Sequence, residues 1–170
     1  MKKRHFLQTG SAFAGIFALG RVPLLADAIA PDTTSKIASA GDFEITKTEA
    51  EWREILSPEA FSVLREEGTE RPFSSPLNDI KVAGTYSCAG CELPIYSSET
   101  KFDSGTGWPS FYAPLENAVA TSVDRSFFMT RTEVHCRRCG GHLGHVFDDG
   151  PEPTGKRYCM NGAAMTFSQA

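Results

Sequence analysis

Residues 126–151 read SFFMTRTEVHCRRCGGHLGHVFDDGP. The first part, SFFMTRTEVHC, alternates bulky and β-branched residues over ten positions, so it is expected to be a strand. Cys136-Arg-Arg-Cys139-Gly-Gly then has the form of a metal knuckle. Two residues between the cysteines let both sulfurs converge on one ion, and the following glycines permit a tight backbone turn. GHVFDDGP resumes a strand-like texture and ends in a Gly/Pro loop. A strand, a sulfur-bearing turn and a second strand point to antiparallel β structure.

Working outward, GTYSC (84–88), LPIYS (93–97), AVATSV (118–123) and RYCMNGAAMTF (157–167) are further short strand candidates, divided by Gly, Pro, Asn and Asp. Short strands at this spacing predict an antiparallel sandwich or small barrel. Upstream, Thr48 and Glu51 form a capping box, and Trp52, Ile55 and Leu56 give an amphipathic helical stripe. Ser57-Pro58-Glu59 starts a second short helix, which carries Phe61, Val63 and Leu64 inward and closes at Gly68. The fold class is therefore mainly β with short N-terminal helices (α+β), in one domain over 43–168.

Cys88-Ala-Gly-Cys91 is a second knuckle, separated from Cys136 by 44 intervening residues. Four thiolates make a closed tetrahedral set suited to one structural zinc, which would clip together distant parts of the sheet. With sulfur at every position, no open site remains for metal catalysis. In an exported protein the same cysteines can instead form disulfides, and CAGC can be a redox pair, although no βαβ pattern surrounds it.

Cys159 lies outside both pairs. Arg157 and Asn161 stand two residues to either side, which on a strand means the same face. A guanidinium beside a sulfur favours the thiolate, and His142 and His145 in GGHLGHVFDDG can supply a proton near neutral pH. The alternative for Cys159 is a small buried hydrophobe.

The N-terminus has another character. MKKRHFLQTG is basic, SAFAGIFALGRVPLLA is apolar or small, and ADAIA offers small-x-small cleavage sites. This is the layout of an export signal over residues 1–30, and KRHFL resembles the twin-arginine motif. We expect cleavage near residue 30, a linker over 31–42, and a periplasmic protein that meets the membrane only during export. Of 17 basic and 21 acidic residues, the signal holds four and one, leaving 13 and 20, net −7. So acidic a domain is not expected to bind nucleic acid.

KFDSGTGWPSF, EVHCRRCGGHLGHVFDDGP and GKRYCMNGAAMTF, with LSPEAFSVLREEGTERPFSSPLND and GTYSCAGCELPIYSSETKFDSG, resemble the methionine-R-sulfoxide reductase B family over residues 43–168. The resemblance implies two antiparallel sheets with helices on the N-terminal side, and zinc on Cys88, Cys91, Cys136 and Cys139. It makes Cys159 the nucleophile, with His142, His145, Arg157 and Asn161 as the polar active-site set. Trp108 corresponds to the wall against which the substrate's S-methyl group packs, and Phe147 adds to it. The implied substrate is oxidised methionine, mainly protein-bound, and the implied product on the enzyme is a Cys159 sulfenic acid.

Two positions depart from the family pattern. Thr106 stands where many members carry a resolving cysteine, so we expect a one-cysteine enzyme, a monomer, recycled by an external thiol or thioredoxin-like reductant. Gly162 stands where serine is usual, and a local hydrogen bond is expected to loosen there.

Overall fold

The structure, a computed structural model, describes residues 43–170. The expected export signal (1–30) and linker (31–42) lie outside the described residues. Two helices come first, α1 (Glu49–Ile55) and α2 (Pro58–Glu66). Thr48 and Glu51 form the expected capping box, and Ser57 caps α2 through the Ala60 N–H. Trp52 and Leu56 are buried, but Ile55 is 55% exposed. With α1 only two turns long, the core reaches Trp52 and the C-cap Leu56, and the third stripe position is left to solvent. Glu67, not Gly68, takes the left-handed conformation that ends α2.

Among the described residues nine strands follow: β1 (Gly84–Cys88), β2 (Pro94–Ser97), β3 (Lys101–Phe102), β4 (Ser110–Phe111), β5 (Val119–Asp124), β6 (Arg131–Cys136), β7 (His142–Phe147), β8 (Arg157–Met160) and β9 (Met165–Gln169). They form two antiparallel sheets, β2-β1-β9 and β3-β4-β8-β7-β6-β5. The mainly β architecture with short N-terminal helices matches the expectation.

Two strand readings need correction. Only Arg131–Cys136 of the long SFFMTRTEVHC run is strand; Ser126–Phe128 form a 3-10 turn in which Phe128 has φ +59°. That turn reverses the chain between β5 and β6, so alternation in sequence continued across a hairpin. RYCMNGAAMTF is likewise two strands, β8 and β9, in different sheets, separated by a 3-10 turn at Gly162–Ala164. The chain crosses from one sheet to the other immediately after the Cys159 strand.

The six-stranded sheet has two chemically different faces. Val134, Met160 and Phe111 are fully buried, and Phe111 stacks on Tyr96 of β2 with ring centroids 4.3 Å apart and meets Tyr86 of β1 at 5.0 Å. These rings join the two sheets through a core that also takes in Leu64, Ile95 and Leu143. The opposite face carries polar side chains. Register pairs Ser122 with Glu133, Glu133 with His145, His145 with Cys159, and Cys159 with Ser110, so one row of five residues crosses β5, β6, β7, β8 and β4.

Candidate active site and metal centre

Cys159 is the fourth residue of that row, partly buried, with His145 directly opposite on β7 and Ser110 opposite on β4. Residues facing each other across strands have Cβ atoms about 4.5–5.5 Å apart. A regular strand would place His142 and His145, three apart, on opposite faces. The β6–β7 ladder breaks its register between Val134 and His135, which pair with Gly144 and His142 and leave Leu143 as the extra residue. This bulge resets the alternation and turns both imidazoles to the same side, with ring centroids 5.4 Å apart. Gly144 permits the close approach of β8. A Cβ there would lie 2.2 Å from the Cys159 carbonyl oxygen.

A carboxylate stands behind each histidine. His142 Nδ1 is 2.9 Å from Glu133 Oε1, and His145 Nε2 is 2.8 Å from Asp124 Oδ2. Asp124 is also paired with Arg131 at 2.6 Å and accepts the Ser126 N–H. The approach of His135, 3.8 Å away, and then the hydrogen bond with His142 hold the Glu133 carboxyl well below the usual carboxylate range, and the Ser126 backbone N–H does most to depress Asp124. Both carboxylates are therefore acceptors at neutral pH, which assigns the N–H to His142 Nδ1 and His145 Nε2. The nitrogen left open is Nε2 on His142 and Nδ1 on His145. Burial lowers the pKa of His145, against the opposing pull of Asp124.

Arg157 is held in a bidentate pair with Asp149, at 2.9 and 2.8 Å, and its guanidinium lies 4.5 Å from the centre of the Phe147 ring. Its charge is reinforced first by Asp149, with a smaller contribution from Cys159. One face of Phe147 is thus covered by arginine. Asn161 is buried just past the end of β8. Its amide donates to the Leu143 carbonyl at 3.1 Å, and its Oδ1 accepts the Glu70 N–H at 3.0 Å.

Glu70 is the residue that sequence reasoning missed. Its carbonyl accepts the Trp108 indole N–H at 3.1 Å, its N–H binds Asn161, and its carboxylate accepts the backbone N–H groups of Gly162 and Ala163 at 2.6 and 2.9 Å. One buried residue therefore ties Trp108 to the segment that follows Cys159. No spacing in the chain signals it, since the partners lie 38 and 91–93 residues away. Glu133 and Asp149 had weak signals: Glu133 alternates with Val134 before the knuckle, and Asp149 precedes Arg157 across a Gly/Pro loop.

At Gly162 the volume that a side chain would need is already occupied. A Cβ on it would lie 1.9 Å from Ser75 Oγ and 2.6 Å from Ser75 Cβ. Ser75, buried in the arm after α2, fills the volume and accepts the Leu77 N–H at 3.1 Å. Thr106, in the loop before β4, has its Oγ1 3.8 Å from Cys159 Sγ.

The four remaining cysteines converge on one another. Their sulfurs all lie within 4.8 Å of one another, with Cys88 to Cys139 at 3.7 Å and Cys91 to Cys136 at 3.5 Å. A disulfide needs about 2.05 Å. Four sulfurs bonded to one tetrahedral zinc at about 2.3 Å sit about 3.8 Å apart, so the cage fits that ion and not two crosslinks. Both knuckles turn on short backbone bonds, Glu92 N–H to the Cys88 carbonyl at 2.8 Å and Gly140 N–H to the Cys136 carbonyl at 2.9 Å. Gly140 adopts φ +66°, which glycine accepts at little cost. Arg65 donates to the Cys139 carbonyl at 3.1 Å and to its sulfur at 3.5 Å while stacking on Trp52 at 4.2 Å, so both N-terminal helices lean on this corner.

A SelR domain model matches residues 56–169. The chain is 55% identical over 124 residues to a peptide methionine sulfoxide reductase MsrB of Methanosarcina barkeri, covering 72% of this chain and 87% of that protein. It is 56% identical over 125 residues to the MsrB of Pseudomonas putida strain W619, covering 73% and 94%, and 52% identical over 125 residues to that of Agrobacterium fabrum, covering 73% and 93%. The site row, the sulfur cage and these relatives agree: the chain belongs to the SelR-domain family, the methionine-R-sulfoxide reductases of type B.

Proposed function

We propose that this oxidoreductase reduces methionine-R-sulfoxide, mainly in proteins, through a sulfenic acid on Cys159. The observation that carries the reading is the row His145–Cys159–Ser110, in which a partly buried thiol faces an imidazole with a free Nδ1. His145 Nδ1 takes the thiol proton, and Arg157 holds the resulting charge. The thiolate attacks the sulfoxide sulfur, and the imidazolium returns the proton to the sulfoxide oxygen, with His142 supporting it from the side. The oxygen passes to Cys159 as S–OH. The substrate sulfur gains two electrons and leaves as a thioether, the cysteine sulfur loses two, and no net proton is consumed. General acid–base help of this kind is worth about 10²–10⁴-fold.

Trp108, fixed by Glu70, forms the wall for the S-methyl group and so selects one epimer by shape. Asn161 acts by holding the segment after Cys159 in place, since both ends of its amide are engaged. Cys88, Cys91, Cys136 and Cys139 hold one structural zinc, which supplies rigidity and takes no part in the reaction. With those four cysteines in the cage, no second thiol stands beside Cys159, so an external thiol or thioredoxin-like reductant reduces the S–OH, forming a disulfide and water. The protein works as a monomer in the periplasm after cleavage near residue 30; sequencing the N-terminus of the mature protein tests this, and a start far from Pro31 sinks it.

The activity is tested with separated R and S epimers of a methionine-sulfoxide peptide and dithiothreitol. The R epimer is consumed by the wild type and not by Cys159→Ser. Turnover of the S epimer, or of neither, overturns the reading.

A further inference from the structure

Three hydroxyls run away from Cys159. Thr106 Oγ1 lies 3.8 Å from Cys159 Sγ and 2.8 Å from Ser104 Oγ. Ser104 Oγ is 2.7 Å from Ser110 Oγ, and Ser110 donates to the Trp108 carbonyl at 3.1 Å. Each hydroxyl has one proton and two lone pairs, so the polarity can be counted from the buried end. Ser110 is fully buried and gives its only proton to the carbonyl, which can only accept. Its oxygen must therefore accept from Ser104. Ser104 has then used its proton and accepts from Thr106, whose backbone N–H it also receives at 3.4 Å. The Thr106 proton is committed to Ser104, and what Thr106 turns toward Cys159 is a lone pair.

We propose that Ser110 and Ser104 act as positioning residues that hold the Thr106 proton away from Cys159, a hydroxyl chain of fixed polarity that restrains the thiol. The proposal rests on Cys159 being the nucleophile. A lone pair accepts from S–H but opposes a thiolate. To donate to the sulfur, Thr106 must turn its proton, Ser104 must turn toward Thr106 and Ser110 toward Ser104, and the Trp108 carbonyl then loses the Ser110 donor. No proton passes along the chain; each hydroxyl only rotates. The charged and titratable groups facing Cys159 are Arg157 on its own strand, backed by Asp149, and His145 and His142 on β7, backed by Asp124 and Glu133. From the β4 side the facing groups are the hydroxyls. In an enzyme with no second thiol to capture its sulfenic acid, restraint of this kind limits oxidation of the cysteine by anything but substrate.

The test is alkylation of Cys159 by iodoacetamide at pH 7 in zinc-loaded mature protein, followed on the Cys159 peptide by mass spectrometry. Ser104→Ala frees the Thr106 proton and is expected to raise the rate about 3- to 10-fold, a fraction of what a hydrogen bond to a charged group can supply because the contact is long. In the Thr106→Val background the same substitution should give no increase. Ser110→Ala, which frees Ser104 to turn toward Thr106, should act in the same direction as Ser104→Ala. An unchanged or slower rate in whichever serine variant retains zinc and native circular dichroism overturns the proposal, as does an increase that persists without the Thr106 hydroxyl. Alkylation needs no sulfoxide, so this outcome is independent of the epimer assay.

Discussion

Replacing Gly162 by serine should destabilise the protein, and replacing Ser75 by glycine should repair most of the damage. The added Cβ meets Ser75 Oγ at 1.9 Å and Ser75 Cβ at 2.6 Å, and Glu70 Oε1 lies 3.4 Å away, so the new side chain has nowhere to go. Overpacking a buried site costs about 1–3 kcal/mol, and about 2 kcal/mol is expected for Gly162→Ser. Ser75→Gly alone removes the side chain that caps Leu77, a loss of about 1 kcal/mol. In the double variant the serine at 162 enters the volume Ser75 has left, and the total should stay near the cost of Ser75→Gly. The expected coupling is therefore about 2 kcal/mol, far beyond the ~0.5 kcal/mol scatter of independent sites. Urea unfolding at fixed excess zinc measures it, with a midpoint shift of about 1 M at an ordinary slope of about 2 kcal/mol/M. Additive single costs, or a Gly162→Ser variant as stable as wild type, would refute the exchange of side chains between the arm and the Cys159 segment.

Three further outcomes follow from the site. Cys88→Ser should lose zinc and fail to fold, because structural zinc supplies about 10–16 kcal/mol against a total stability of about 5–15 kcal/mol, whereas Cys159→Ser should keep one zinc per chain; elemental analysis with far-ultraviolet circular dichroism decides. Thr106→Cys should place a resolving thiol within reach of Cys159, so one turnover leaves an intramolecular disulfide with loss of two hydrogens in the intact mass, while the wild type gives only a dimedone-trapped sulfenic acid. Glu133→Gln should flatten the acid limb of stability. The folded Glu133 carboxyl titrates below its unfolded value of 4.5, so it stabilises the fold above that pH and the contribution is lost as pH falls. Urea midpoints at pH 7 and pH 4 should therefore drop further for wild type than for the variant, and equal drops would contradict the pairing with His142 and His135.

Much of the fold was legible in the sequence because its signals are local. The capping box at Thr48 and Glu51, the serine cap and proline at Ser57-Pro58, and both Cys-x-x-Cys turns depend on residues within a few positions of one another. The strand readings failed at two 3-10 turns that sit inside apparently continuous strand texture. Ser126–Phe128 continues the alternation of β6 while reversing direction, and Gly162–Ala164 carries the chain from one sheet to the other inside what looked like one strand. Asn161 illustrates the consequence. Spacing placed it on the face of Arg157 and Cys159, but it lies past the end of β8 with its amide taken up by Glu70 and Leu143.

The sequence by itself determined which residues are candidates for the chemistry, since a thiol outside two metal-spaced pairs, a neighbouring arginine and two close histidines are facts of order along the chain. Tertiary structure alone decided how they are oriented. The Leu143 bulge turns His142 and His145 to one side, Glu133 and Asp124 choose which nitrogen of each ring stays free, and Glu70 joins Trp108 to the segment after Cys159. Those relations depend on ladder register and on contacts between residues up to 93 positions apart. Local propensity does not encode them, because the free energy that fixes them comes from packing two sheets and an N-terminal arm against one another.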